Sequence, residues 1–128
     1  MITKITDNVK ITVDTVYQPE YSNPENEHFM FAYRIVIENL SEYNIRLLSR
    51  FWNIYDSNGQ HRTIEGEGVV GQQPLIPPGT SYDYVSGCNL NTDMGYMEGY
   101  YRMRRDLDGN EFEVLIPRFE LIAPFRYN

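Results

Sequence analysis

The chain has little alanine, cysteine or histidine. Alanine occurs only twice in 128 residues, at Ala32 and Ala123, cysteine once, at Cys88, and histidine twice, at His28 and His61. Alanine is the best helix former, so its scarcity beside eleven Tyr and six Phe favours strands over helices. A single cysteine forms no internal disulfide, which makes a reducing cytoplasm the natural compartment. Cys88 sits in no nucleophile motif and reads as a small apolar strand residue, while the two histidines lie too far apart in sequence to suggest a dyad. H-x-x-H and C-x-x-C metal spacings are both missing. No apolar run approaches the roughly 20 residues that span a bilayer, and no signal peptide opens the chain. Membrane insertion is therefore not expected, and the chain cannot itself be a channel or pump. Basic residues are also in the minority, 11 against 18 acidic, for a net charge of −7. That balance argues against nucleic acid and anionic lipid as partners.

What is present begins with Gly66-Glu67-Gly68-Val69-Val70-Gly71, a letter-for-letter G-x-G-x-x-G pattern. In a dinucleotide-binding turn this pattern follows a strand and opens a helix, whose free N–H groups hold the pyrophosphate. Here Gln72-Gln73-Pro74-Leu75-Ile76-Pro77-Pro78-Gly79 follows, and prolines at that density prevent a helix from starting. The glycines shape a loop instead.

Period-2 alternation recurs elsewhere between turn signals. Val9, Ile11, Val13 and Thr15 mark one strand, and Phe29, Phe31, Tyr33, Ile35 and Ile37 a longer one, separated by a polar loop over 18–27. A strand over Ile45–Tyr55 leads to Asp56-Ser57-Asn58-Gly59, where Asn-Gly predicts a type I′ hairpin turn, and Gln60–Ile64 returns. Further strands are expected at Ser81–Ser86, Gly95–Arg105 and, beyond a tight turn at Asp108-Gly109, Asn110–Ile116. Phe119–Pro124 continues past a break at Pro117. Seven or eight short strands and no helix predict an all-β fold, a β-sandwich of the immunoglobulin or fibronectin type III kind. Residues 1–128 read as one domain, without repeats or an interdomain linker, and large enough to fold without metal or disulfide staples.

An ordered series of motifs carries a resemblance. Asn39, Leu47-Leu48-Ser49-Arg50, Trp52-Asn53-Ile54, the glycine stretch with Gln72, Pro74, Pro78-Gly79, Tyr84, Ser86-Gly87, Gly95–Tyr101 and the closing Ile116-Pro117-Arg118-Phe119, Leu121 and Pro124 closely resemble the ApaG family over nearly the whole chain. The resemblance implies a fibronectin type III-like sandwich and a small, stand-alone cytoplasmic protein. ApaG proteins are commonly named cobalt/magnesium efflux proteins, and their gene often neighbours that of a diadenosine tetraphosphate hydrolase. Similar domains occur fused to F-box modules and in a partner of DNA polymerase delta. The family supplies no catalytic residues to carry over, and no enzymatic activity or cofactor is expected. A chain without membrane spans can influence cation efflux only indirectly.

Three sets of residues are candidates for binding. Glu25, Glu27 and His28 bring carboxylates and an imidazole together on the early polar loop, where a metal ion or simply solvent would meet them. Backbone N–H groups of Gly66, Gly68 and Gly71 could form a nest for a nucleotide or pyrophosphate, assisted by Arg62 and by Arg50 or Arg46 from a neighbouring strand. Against this, Glu65 and Glu67 put negative charge beside the anion, and the loop could equally serve only to pack Val69 and Val70. Finally, aromatic residues stand on both parities of two strands, while a sandwich core uses one face of each. Phe51, Tyr55, Tyr96, Tyr100 and Tyr101 are therefore expected to include an exposed protein-interaction surface, unless loops cover it, and a homodimer could form through it or through an edge strand. Trp52 reads as a core residue.

Overall fold

The first strand, β1 (Ile2–Thr6), turns into β2 (Val9–Tyr17) through Asp7-Asn8, whose φ angles of 48° and 62° make a two-residue turn of the I′ class. The computed structural model describes residues 1–127. After two 3₁₀ turns, Pro19–Tyr21 and Pro24–Asn26, follow β3 (Phe29–Asn39), β4 (Ile45–Asp56), β5 (His61–Glu67), the short β6 (Leu75–Ile76), β7 (Ser81–Leu90), β8 (Met94–Arg105) and β9 (Glu111–Ile122). All pairings are antiparallel. They build one sheet in the order β1-β2-β3-β7 and a second in the order β5-β4-β8-β9, with β6 added beside β4.

The core lies between the sheets. Val9, Ile11, Val13, Phe31, Tyr33, Ile35 and Ile37 face Leu47, Trp52, Ile54, Met97, Tyr101, Met103, Val114 and Phe119, all buried. Trp52 meets Tyr33 edge-on at 5.5 Å and Phe119 at 5.8 Å, the aromatic centre expected of it. Inward residues change parity twice. In β4 they are Ile45 and Leu47 before a bulge at Leu48, then Arg50, Trp52 and Ile54 after it. In β9 the bulge falls at Pro117-Arg118, opposite Glu98. There the proline's missing N–H costs no ladder bond, so the expected break at Pro117 is a bulge within one continuous strand.

The Asp56–Gly59 turn departs from the type I′ expectation. Asn58 does not adopt a positive φ, whereas Gly59 does at 90°, and the N–H of Asp56 donates to Gln60 O. This is a three-residue loop with glycine at the left-handed position, the next commonest hairpin class. The ends of the sandwich are pinned by two buried polar side chains. Asp56 accepts hydrogen bonds from the N–H groups of Asn91 and Thr92. Asn39, with 0% exposure, donates through Nδ2 to Tyr43 O and Ile76 O (2.7 and 2.8 Å) and accepts from the Ser41 N–H at 3.0 Å. It thereby ties β3, the β3–β4 turn and β6 together. Asn39→Ala strands these buried groups and is expected to lower stability by about 3 kcal/mol. Urea denaturation measures this, and a loss below about 1 kcal/mol would show that the turn is held by something else.

Candidate functional site

The outward face of the β5-β4-β8-β9 sheet carries the aromatic residues that the core does not use. Cross-strand register places His61, Tyr55 and Tyr96 in one row, and Glu65, Phe51, Tyr100 and Leu115 in another. In the first row His61 stacks on Tyr55 at 4.3 Å and 11°, and Tyr55 stacks on Tyr96 at 4.4 Å and 23°. The Arg118 guanidinium closes the row, 3.4 Å from the centre of the Tyr96 ring. His61 Nε2 is also 2.9 Å from Asn53 Oδ1, which fixes the ring at the sheet edge. In the second row Phe51 and Tyr100 stack at 5.2 Å and 22°. Phe51, Tyr55, Tyr96 and Tyr100 are each half-buried by their neighbours in the row, and His61 is exposed. Four strands thus present one ordered aromatic surface, with Leu115 41% exposed at its margin.

Tyr101 does not belong to it. It is fully buried, with 0% exposure, because it shares the inward parity of Met97 and Met103. There its hydroxyl lies 2.5 Å from that of Tyr84. Tyr33 lies close by and bonds Ser86. Burial pushes all three phenols above their ordinary value of 10.0, and the nearby Arg50 charge opposes the rise in each.

Arg50 is on this inward side too, opposite Gly66. A Cβ at Gly66 would lie 2.9 Å from the guanidinium, so the missing side chain is what lets Arg50 fold over β5. Its NH1 donates to Glu67 O and Gly68 O, both at 3.0 Å. Three of the loop's own N–H groups are engaged elsewhere. Gly68 donates to Leu48 O at 2.8 Å, while Val69 and Gln72 exchange bonds around a turn formed by Val70 and Gly71, whose φ angles are 47° and 77°. Gly68 must be glycine, with φ 63° and Gln72 O only 2.1 Å from where a Cβ would stand. Carbonyl oxygens, not amide hydrogens, therefore converge on the nearby arginine, the reverse of a phosphate nest. Val69 is buried, while Val70 is 63% exposed at the turn. Arg46 does reach the segment, donating to Gln73 O at 2.9 Å. Arg62 does not: it stands four residues back along β5, about 13 Å away at the usual strand rise, and donates to Asn89 O and Cys88 Sγ on β7.

Glu25, Glu27 and His28 lie on the early loop, around its second 3₁₀ turn. Glu27 takes a left-handed φ of 57° after the Pro24–Asn26 turn, and His28 is tied through its backbone to Asn23. Among the described residues no group of three or more His, Cys, Asp or Glu side chains could hold a metal ion. Likewise, no helix among them is long and apolar enough to cross a membrane. Cys88 is buried, and burial outweighs the opposing Arg62 charge to push its thiol up to about 11, far from the range of a reactive thiolate.

Two antiparallel sheets enclosing an aromatic core, with ordered rings on the outer side of one, define an immunoglobulin-like β-sandwich whose distinctive chemistry lies on a sheet face. The chain belongs to the ApaG family, whose ApaG domain model matches residues 19–105. It is 44% identical to Protein ApaG of Sinorhizobium fredii over 124 residues, 97% of this chain and 95% of that one. Protein ApaG of Brucella suis is 42% identical over the same span. A crystal structure of an ApaA protein from Bordetella pertussis superposes with a TM-score of 0.87 at 39% identity, covering 91% of this chain and 94% of that one.

The buried acids generate an alkaline signature. Each keeps its proton more tightly in the folded than in the unfolded state, so their contribution is whole below pH 9 and declines as pH rises through the folded values. In a titration followed at 295 nm, Tyr33, Tyr84 and Tyr101 are expected to ionise only together with unfolding. Cys88 is expected to stay unmodified by iodoacetamide at pH 8 until denaturant is added. Ionisation of all eleven tyrosines near pH 10 with the fold intact would contradict the buried network.

Proposed function

We propose that this protein is a protein-interaction module that docks a partner on the aromatic face formed by Phe51, Tyr55, Tyr96 and Tyr100. One observation carries the reading: rings that the core has no use for are stacked in register across the sheet and stay partly open to solvent. Holding rigid aromatic surface in one arrangement lowers the entropic cost of binding, and Tyr with Arg typically dominates interface energetics. The module acts in the cytoplasm, without a cofactor and without catalysing a reaction. Its link to cobalt and magnesium homeostasis runs through the partner, since the described residues offer neither a membrane-spanning helix nor a metal-ligating cluster. The glycine segment serves as scaffold. Nucleotide or pyrophosphate binding there is disfavoured, because the N–H groups of Gly68, Val69 and Gln72 are already bonded and carbonyl oxygens face Arg50.

The test compares the unaltered protein with a Tyr55→Ser/Tyr96→Ser variant in affinity capture, followed by calorimetric titration of the identified partner. Loss of the two rings is expected to weaken binding about thirtyfold or more, the scale of an interface hot spot, with the strand signature in circular dichroism unchanged. Equal affinity of the two proteins would remove this face from the interface. A second copy of the chain as the captured species would make it a homodimer interface, visible by sedimentation. Pyrophosphate and diadenosine tetraphosphate are expected to give no saturable heat; saturable heat abolished by Arg46→Ala, with the circular dichroism unchanged, would return the glycine segment to consideration.

A further inference from the structure

The two aromatic rows end differently. Tyr96 has its outer ring face covered by Arg118, a guanidinium supplied by the chain itself. Among the described residues the Phe51–Tyr100 pair has no such cover: its row runs into Glu65 on β5 and Leu115 on β9. Around it lies a shallow depression lined by the two rings, Ser49 and Gly66, with Glu65 and Glu67 and two arginines, Arg50 and Arg102, at its walls. Both glutamates are exposed, and neither joins an ion pair among the described residues. Neither arginine forms an ion pair with these glutamates among the described residues. Arg102 is drawn to β9 by Glu111 and Glu113 at 3.7 and 3.9 Å, and Arg50 spends NH1 on two carbonyl oxygens at the inward side of the sheet. Glu98, also outward on β8 between Tyr96 and Tyr100, adds a further carboxylate to the face.

Aromatic faces beside unpaired carboxylates make a site for a cation with a flat apolar surface. A guanidinium meets both demands, since it stacks on rings and takes carboxylates through its forked N–H groups. We propose that this depression receives an arginine side chain of the partner protein, laid on the Phe51–Tyr100 pair with its charge between Glu65 and Glu67. The arrangement repeats, between molecules, what Arg118 and Tyr96 do within one. The chain's net charge of −7 draws a basic segment toward it and repels phosphate-bearing ligands. The proposal rests on the docking face argued above and specifies what the partner must bring to it.

The test uses the isotopically labelled full chain and an acetylated, amidated peptide of alternating serine and arginine, observed by amide chemical shift. A peptide with citrulline in place of arginine keeps the shape and removes the charge. The arginine peptide is expected to shift the amides of Ser49, Phe51, Glu65, Glu67 and Tyr100 saturably. The citrulline peptide, and the arginine peptide with a Glu65→Gln/Glu67→Gln variant, are expected to bind about tenfold more weakly. Equal binding by the two peptides, no loss in the variant, or no saturable shift at millimolar peptide would each overturn the arginine site. The identified partner separates this proposal from the one beneath it. If its binding survives Glu65→Gln/Glu67→Gln but is lost in Tyr55→Ser/Tyr96→Ser, the docking face stands and the arginine site falls. If it survives both, the docking face falls as well.

Discussion

A strand in a two-sheet sandwich gives one face to the core, and in this molecule two bulges decide which face that is. Without the extra residue at Leu48, β4 could not turn both Leu47 and Trp52 inward, five positions apart. Without the one at Pro117-Arg118, β9 could not bury Ile116 and Phe119 together. The regular strand between them, β8, keeps its odd-numbered residues Met97, Tyr101 and Met103 in the core throughout. Everything on the outer face follows from that alignment, because it brings Tyr55 onto Tyr96 and Phe51 onto Tyr100. The bulge in β9 also re-aims Arg118 so that its guanidinium reaches Tyr96.

Much of this was legible in the sequence. Alternation located β2, β3, β4 and β8 to within a residue or two, because a half-buried strand writes its period directly into side-chain polarity. The strands that escaped notice lacked that signal. β1 is exposed along nearly its whole length, so its residues obey no inside-outside rule, and β6 is only two residues long. The Asn58-Gly59 turn was correctly placed but wrongly typed, since the dipeptide constrains Gly59 while leaving Asn58 free to stay at negative φ. Parity separates Tyr101, with Met97 and Met103, from Tyr96 and Tyr100, but both parities of β8 carry aromatics, so alternation alone does not say which row faces the core; Tyr101 proves to be the buried one.

The glycine segment shows how a familiar pattern can arise from unrelated demands. Gly66 is there because Arg50 occupies the space its side chain would fill, Gly68 because Gln72 O stands against it, and Gly71 because it completes a turn at positive φ. None of these reasons involves an anion, yet together they spell a nucleotide motif. The residues that the aromatic face depends on are scattered from position 51 to position 118, and no local pattern unites them. Only strand pairing does so, which is why the two rows could be suspected from parity but not assembled from it.

Rings held face to face within about 5 Å also share their electronic transitions. His61, Tyr55 and Tyr96 form one such array and Phe51 with Tyr100 another, each fixed in orientation by the twist of the sheet. A chiral, coupled set of chromophores gives circular dichroism in the near ultraviolet that isolated tyrosines do not. Any occupant that wedges between these rings or tilts them alters the signal at its source. The proposed docking face is therefore also an intrinsic optical reporter of its own occupancy, with no label required.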